Sequence, residues 1–296
     1  MGKDFFDSEP VAKQTFETVD KALGYNLSEI IFNGPSEELS ATTNTQPAIM
    51  AVSVAILRTL LAKANKPVSE LCAIVAGHSL GEYSALCAAE VIKLEDTAKL
   101  LKIRANAMQQ ASPKGEGGMA ACIGVTYEKL QEIINNLIDK GVCQIANDNV
   151  EGQIVISGHE YNIDRMVAVL KDTGYKAIKL NVSAPFHSQL IKPAEKAMQK
   201  AITETMFAQP VVPVIPNVTV IEETNTDRIK ENLLQQICAA VRWRETMDKL
   251  ASLGITELVE IGPGKVLSGL AKKSPHNFNL CNIATVEDLG NFLARI

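Results

Sequence analysis

The residues best suited to chemistry gather at Gly77-His78-Ser79-Leu80-Gly81, a G-x-S-x-G that follows the apolar run LCAIVAG and opens HSLGEYSALCAAEVI, whose apolar residues recur at helical spacing. A strand turning sharply into a helix around a serine is a nucleophile elbow. Small residues at both ends permit the turn and hold Ser79 Oγ clear of the backbone. The helix N-terminus and the Leu80 N–H then face the negative charge that develops on an attacked carbonyl. That arrangement suits acyl transfer. A tight turn without chemistry is the competing reading, and the flanking strand and helix count against it.

A serine nucleophile needs a base, and the chain has four histidines. His78 points off the same turn as the nucleophile and is poorly placed to serve it. His159 falls between a strand and a helix, where capping or surface exposure is its ordinary role, and His276 lies in the polar stretch KKSPHN. His187 follows the strand-end sequence VSAPF, and loops at strand ends commonly carry catalytic groups. Position favours His187 and leaves the others open.

The spacing predicts helices over 10–27, ended by Gly24, over 47–64 after the loop TTNTQP, and over 94–111, with the elbow strand spanning 71–77. SPKGEGG then breaks the chain. From Gly118 the order reads strand (119–125), helix (127–140), strand (142–147), strand (153–158), helix (161–173), strand (175–182), the split-βαβ pattern. A helix over 190–205, the Pro-punctuated run VVPVIPNVTV, a helix over 229–240, ITELVEIG and a last helix complete it. The fold class expected is α/β: a large α/β-hydrolase-like core with a parallel sheet (1–114 and 183–296), interrupted by a small ferredoxin-like βαββαβ subdomain (115–182).

A formal charge of −5 argues against a general nucleic-acid binder, which needs excess Lys and Arg to neutralise phosphates. Six scattered cysteines without a CxxC pair point away from disulfides and metal and towards a reducing cytoplasm. The start MGKDFFDSEP lacks signal-peptide order, and we expect no membrane-spanning apolar run. A monomer is the default expectation.

The segments GHSLGEYSAL, IRANAMQQA, IANDNVEGQIVISG, APFHS, RWRETM and EIGPGKVLSGL, in this order, closely resemble the malonyl-CoA:acyl-carrier-protein transacylases, and the similarity runs through the whole chain. The resemblance implies malonyl transfer from malonyl-CoA to the phosphopantetheine thiol of acyl carrier protein in fatty-acid synthesis, with ping-pong kinetics. It implies a malonyl ester on Ser79, His187 as base and then acid, and the Gln236 backbone carbonyl orienting His187, which makes Glu260 a structural acid. No cofactor is implied, since coenzyme A and pantetheine belong to the substrates. Arg104, read alone as a helix-surface arginine, matches the guanidinium that receives the malonyl carboxylate. Phe186 resembles the bulky choice that disfavours an α-methyl. Met108 is either pocket wall or core, Asn147 and Asn149 resemble site-lining positions, and Lys176, Lys272 and Lys273 match or lie near carrier-facing basic positions.

One departure stands out. Members of this family begin with an apolar strand and a Gly-Gln-Gly-Ser/Ala-Gln loop that supplies a second oxyanion donor, whereas Met1-Gly2-Lys3 resembles the segment just after it. Loss of one such donor costs on the order of 10²–10³ in rate. The expectations therefore include a weakened, carrier-binding form, an acyltransferase for another extender unit or a polyketide carrier, and a serine hydrolase that shares the elbow.

Overall fold

Proline and glycine punctuate the N-terminal helices much as the sequence suggests. Pro10 opens the helix Pro10–Leu23, and Gly24 closes it in the left-handed conformation (φ 75°). The computed structural model describes residues 1–113 and 115–296, so the expected boundary at residue 114 lies outside the described residues. Phe6, Phe16 and Phe32 cluster with centroids 4.9–5.9 Å apart, Phe16 meeting the other two edge-on, and tie the first helices together.

The next helix corrects the sequence reading: it spans Thr42–Ala64 and takes in the TTNTQP segment expected as a loop. Pro47 sits in its second turn, where the missing N–H removes only one early intrahelical bond. By length and composition alone this helix is apolar enough to cross a bilayer, although Ser53, Arg58 and Thr59 interrupt its apolar run. Here Met50, Ala51, Ile56 and Leu60 are buried in the main hydrophobic core, beside Leu86 of the elbow helix and Leu100 of Leu94–Gln110.

Nine strands run through the described residues: β1 Val75–Ala76, β2 Gly117–Ile123, β3 Cys143–Val150, β4 Gln153–His159, β5 Lys176–Lys179, β6 Val214–Ile215, β7 Val241–Arg242, β8 Glu257–Ile261 and β9 Asn279–Ile283. Among the described residues of the core, β1 pairs only with β6 and β8 only with β9, each parallel. The elbow strand is thus two residues long, against seven expected, because pairing partners flank only Val75 and Ala76. The second edges of β1 and β8 are unpaired among the described residues.

The inserted sheet has the order β5-β2-β4-β3-β7. Its first four strands are antiparallel in the split-βαβ arrangement, and β7, unforeseen as a strand, joins β3 in parallel from the C-terminal part of the chain. Period-two alternation sorts its side chains. Ala120, Cys122, Cys143, Ile145, Ile154 and Ile156 pack under the helices Tyr127–Leu137 and Glu160–Asp172. Met119, Ala146 and Val155 face the other way, onto Phe186.

Phe16, at 1% exposure, is the most buried of these three rings. Phe16→Ala should cost about 3–5 kcal/mol through the cavity it leaves. Urea unfolding checks this: the midpoint should fall with an unchanged slope, and a loss below about 1 kcal/mol would show the cluster to be loosely packed.

Candidate active site

Ser79 stands at the tip of the turn between β1 and the helix Leu80–Ala88, with φ 53° and ψ −109°. A Cβ at position 77 would lie 1.9 Å from the carbonyl oxygen of Gly81, so only glycine fits there. A Cβ at Gly81 would meet nothing within 4 Å, so the steric demand expected of both glycines falls on the first alone. Leu80 is the first helical residue, and its N–H has no intrahelical acceptor. It opens a helix whose dipole favours negative charge at this end.

His187 is buried and also sits at positive φ (56°). Its Nε2 lies 2.8 Å from Ser79 Oγ, and its Nδ1–H donates to the Gln236 carbonyl oxygen at 2.9 Å. That second bond selects the tautomer whose Nε2 is free to accept the serine proton. Burial, helped by the nearby Arg104 charge and opposed by the Gln236 carbonyl, pushes the imidazole pKa down to about 3.

Arg104 is buried at 1% exposure, although the sequence alone favours a surface position. Its Nη1 donates to Gln46 Oε1 at 2.8 Å, and its Nη2 donates to Ser79 Oγ at 3.1 Å and to Gln236 Oε1 at 2.9 Å. The Tyr83 ring lies 5.6 Å from the guanidinium carbon. All three hydrogen bonds go to uncharged groups beside a serine, so this cation fits an acyl group that ends in a carboxylate.

Residues 1–289 match the family described as acyl transferase domain. The chain belongs to this acyl transferase family. Over 275 residues it is 41% identical to the malonyl CoA-acyl carrier protein transacylase of Bacillus subtilis (strain 168), covering 92% of this chain and 85% of that one. An acyl-carrier-protein-S-malonyltransferase from Bartonella henselae has a closely similar structure, with a TM-score of 0.97 at 46% identity, over 100% of this chain and 94% of the other. A malonyl-transacylase solved in complex with its type II PKS acyl-carrier protein is 35% identical, with a TM-score of 0.95, over 100% of this chain and 95% of that one.

The remaining expected positions of this acyl transferase take up varied places. Phe186 adjoins His187 and packs between the main core and the inserted sheet. Asn149 Oδ1 accepts from His78 Nε2 at 2.8 Å, and His78 in turn lies against Trp243, with ring centroids 5.6 Å apart. Asn147 is buried within β3, where a bulge shifts the register just before it. Met108 is 1% exposed in the main core, which makes it packing and not an open pocket wall. Lys176 and Gln153 both flank Ile123 of β2, and Lys273 Nζ donates to Gln153 Oε1 at 3.1 Å. Lys176 and Lys273 thus gather at one end of the inserted sheet, while Lys272 caps the helix Val266–Ala271. Glu260 accepts from the backbone N–H groups of Leu267 and Ser268 at the start of that helix. His159 Nδ1 accepts from Val142 N–H, and His276 pairs with Asp248, so both are occupied away from Ser79.

Four residues absent from the sequence reading build the surroundings. Asn217 Oδ1 accepts from Ser79 N–H at 2.7 Å while its Nδ2 donates to the Gly77 carbonyl at 2.7 Å. Gln46 holds Arg104. Gln144, from β3, donates through Nε2 to the carbonyls of His187 and Cys238, and its Oε1 accepts from Gln189 N–H. Glu82 is buried beneath the elbow. Only Glu82 carried a sequence signal, since an acid three residues after Ser79 sits in the first helical turn.

The lowered pKa of His187 has a measurable sign. Its base form persists as pH falls through about 6.5, where an ordinary imidazole gains a proton. The rate at which Ser79 takes an acetyl group from neutral p-nitrophenyl acetate should therefore stay near its plateau at pH 5, and a half-maximum close to 6.5 would show that His187 titrates normally.

Proposed function

We propose that this chain moves a malonyl group from malonyl-CoA to the phosphopantetheine thiol of acyl carrier protein, through an ester on Ser79, in fatty-acid biosynthesis. The observation that carries the reading is the buried Arg104, 3.1 Å from Ser79 Oγ with only uncharged hydrogen-bond partners. Its planar fork matches a carboxylate two carbons from the attacked thioester carbonyl, and an acetyl group leaves it without a hydrogen-bonded anion. The names of the similar proteins point to the same reaction.

In this reading His187 Nε2 takes the Ser79 hydroxyl proton as Oγ attacks the thioester carbonyl. The tetrahedral oxyanion faces the Leu80 N–H and the helix N-terminus. Collapse breaks the C–S bond, and the coenzyme A sulfur leaves with the proton held on His187. The carrier thiol then gives its proton to His187, attacks the Ser79 ester, and the proton returns to Ser79. Gln236 keeps the imidazole in register through its backbone carbonyl. Lys176, Lys272 and Lys273 offer positive charge to an acidic carrier, a contribution that falls with ionic strength. The reading carries with it a cytoplasmic enzyme without a metal or redox group of its own.

Intact-mass analysis after brief exposure to malonyl-CoA should find one malonyl group, mapped to Ser79, absent from Ser79→Ala and transferable to carrier protein. Folded wild-type protein without an adduct would refute the reading. Arg104→Ala should lower kcat/KM for malonyl-CoA by about 100-fold or more, the scale of a lost bidentate charged hydrogen bond of ~3 kcal/mol. Phe186→Ala should narrow the preference for malonyl over methylmalonyl by about tenfold, since one methyl is worth ~1–3 kcal/mol, and an unchanged ratio would take Phe186 out of the pocket.

A further inference from the structure

The reaction just described does not use the carboxylate that lies beneath it. Glu82, in the first turn of the helix that Ser79 caps, is 1% exposed. Its Oε2 accepts from the Asn217 backbone N–H at 2.9 Å and from Gln236 Nε2 at 2.7 Å. Gln236 Nε2 also donates to the Ser79 carbonyl at 3.1 Å, which leaves Gln236 Oε1 to accept from Arg104 Nη2. The two ends of an amide have nearly the same shape, so packing alone does not choose between them. Its partners do: the Glu82 carboxylate, at the shorter distance, and the Ser79 carbonyl only accept, so only the nitrogen end of Gln236 can face them.

We propose that Glu82 is a positioning residue for the substrate carboxylate: by accepting from Gln236 Nε2 it turns Gln236 Oε1 towards Arg104 and so holds the guanidinium where the acyl carboxylate meets it. The proposal rests on the reading of Arg104 given above. His187 depends on Gln236 through the backbone carbonyl, and Arg104 depends on it through the side chain. A change at Glu82 therefore falls more heavily on recognition of the carboxylate than on the serine-histidine pair.

The charge that faces Glu82 from the neighbouring helix Leu94–Gln110 is Arg104, and Tyr83 adjoins it on its own helix. Burial raises the Glu82 carboxyl to about 7, against the lowering effect of the Asn217 N–H, Gln236 and Arg104. A proton gained as pH falls through that value turns one acceptor oxygen into a donor and loosens the choice of amide orientation. A substrate carboxyl, with an ordinary pKa near 4, stays ionised throughout.

The test compares Ser79 acylation by malonyl-CoA with acylation by neutral p-nitrophenyl acetate, in the wild type and in Glu82→Gln, between pH 5.5 and 8.5. The malonyl-to-acetyl rate ratio should fall at least tenfold in Glu82→Gln. In the wild type the same ratio should fall as pH drops through about 7, and in the variant it should be flat. Equal losses on both substrates would make Glu82 merely structural and overturn the proposal, as would an unchanged ratio. Should the variant fail to fold, the wild-type profile decides, and a flat ratio overturns the proposal. A wild type that takes no malonyl at all at pH 8 removes the reading on which it rests, whereas a malonyl adduct whose ratio ignores both pH and Glu82 removes this proposal alone.

Discussion

Gln236 binds the whole site together, because one residue offers three polar groups to four partners. Its carbonyl accepts from His187, its Oε1 accepts from Arg104, and its Nε2 donates to Glu82 and to the Ser79 carbonyl. It lies fully buried at the C-terminal end of the helix Thr226–Gln235, where the last carbonyls have no intrahelical donor and are free for other work. The elbow, His187 and Arg104 are thus all tied to this one residue, His187 through its backbone carbonyl and Arg104 through its side chain.

That network also accounts for the strain at the centre of the site. Ser79 and His187 both adopt positive φ, a conformation that costs a side-chain-bearing residue on the order of 1–3 kcal/mol. Ser79 is held there on both sides, by Asn217 on its N–H and by Gln236 on its carbonyl. The elbow keeps Oγ facing outward because the backbone that would otherwise relax is pinned by side chains from the far end of the chain.

What the sequence made legible divides along the same physical line. The elbow could be read because its demands are local: a glycine at 77 where a Cβ collides, an apolar run before and a helix after. The inserted sheet could be read because alternation of period two marks each buried face. Arg104 could not, since a buried cation and a surface one occupy the same helical position in the sequence, and only the family resemblance set them apart. Asn217, Gln46 and Gln144 escaped notice because their partners lie 43 to 140 residues away and each looks like an ordinary polar residue in its own segment. The strand around Ile74 was overextended for a related reason: an apolar run advertises burial, while strand length depends on neighbours that the run itself does not name.

Gln144 bears on how this architecture could be recombined. It belongs to the inserted sheet, yet its amide holds the carbonyls of His187 and Cys238 and its oxygen holds the Gln189 N–H. The insert is therefore not a passive cassette. Exchanging it for the corresponding piece of a relative would transplant part of the scaffold of the histidine loop, and a chimera that kept every residue around Ser79 could still mis-seat His187. Recombination breakpoints that respect this seam must carry position 144 together with the stretch from His187 to Gln189, a linkage between distant parts of a gene that neither piece reveals alone.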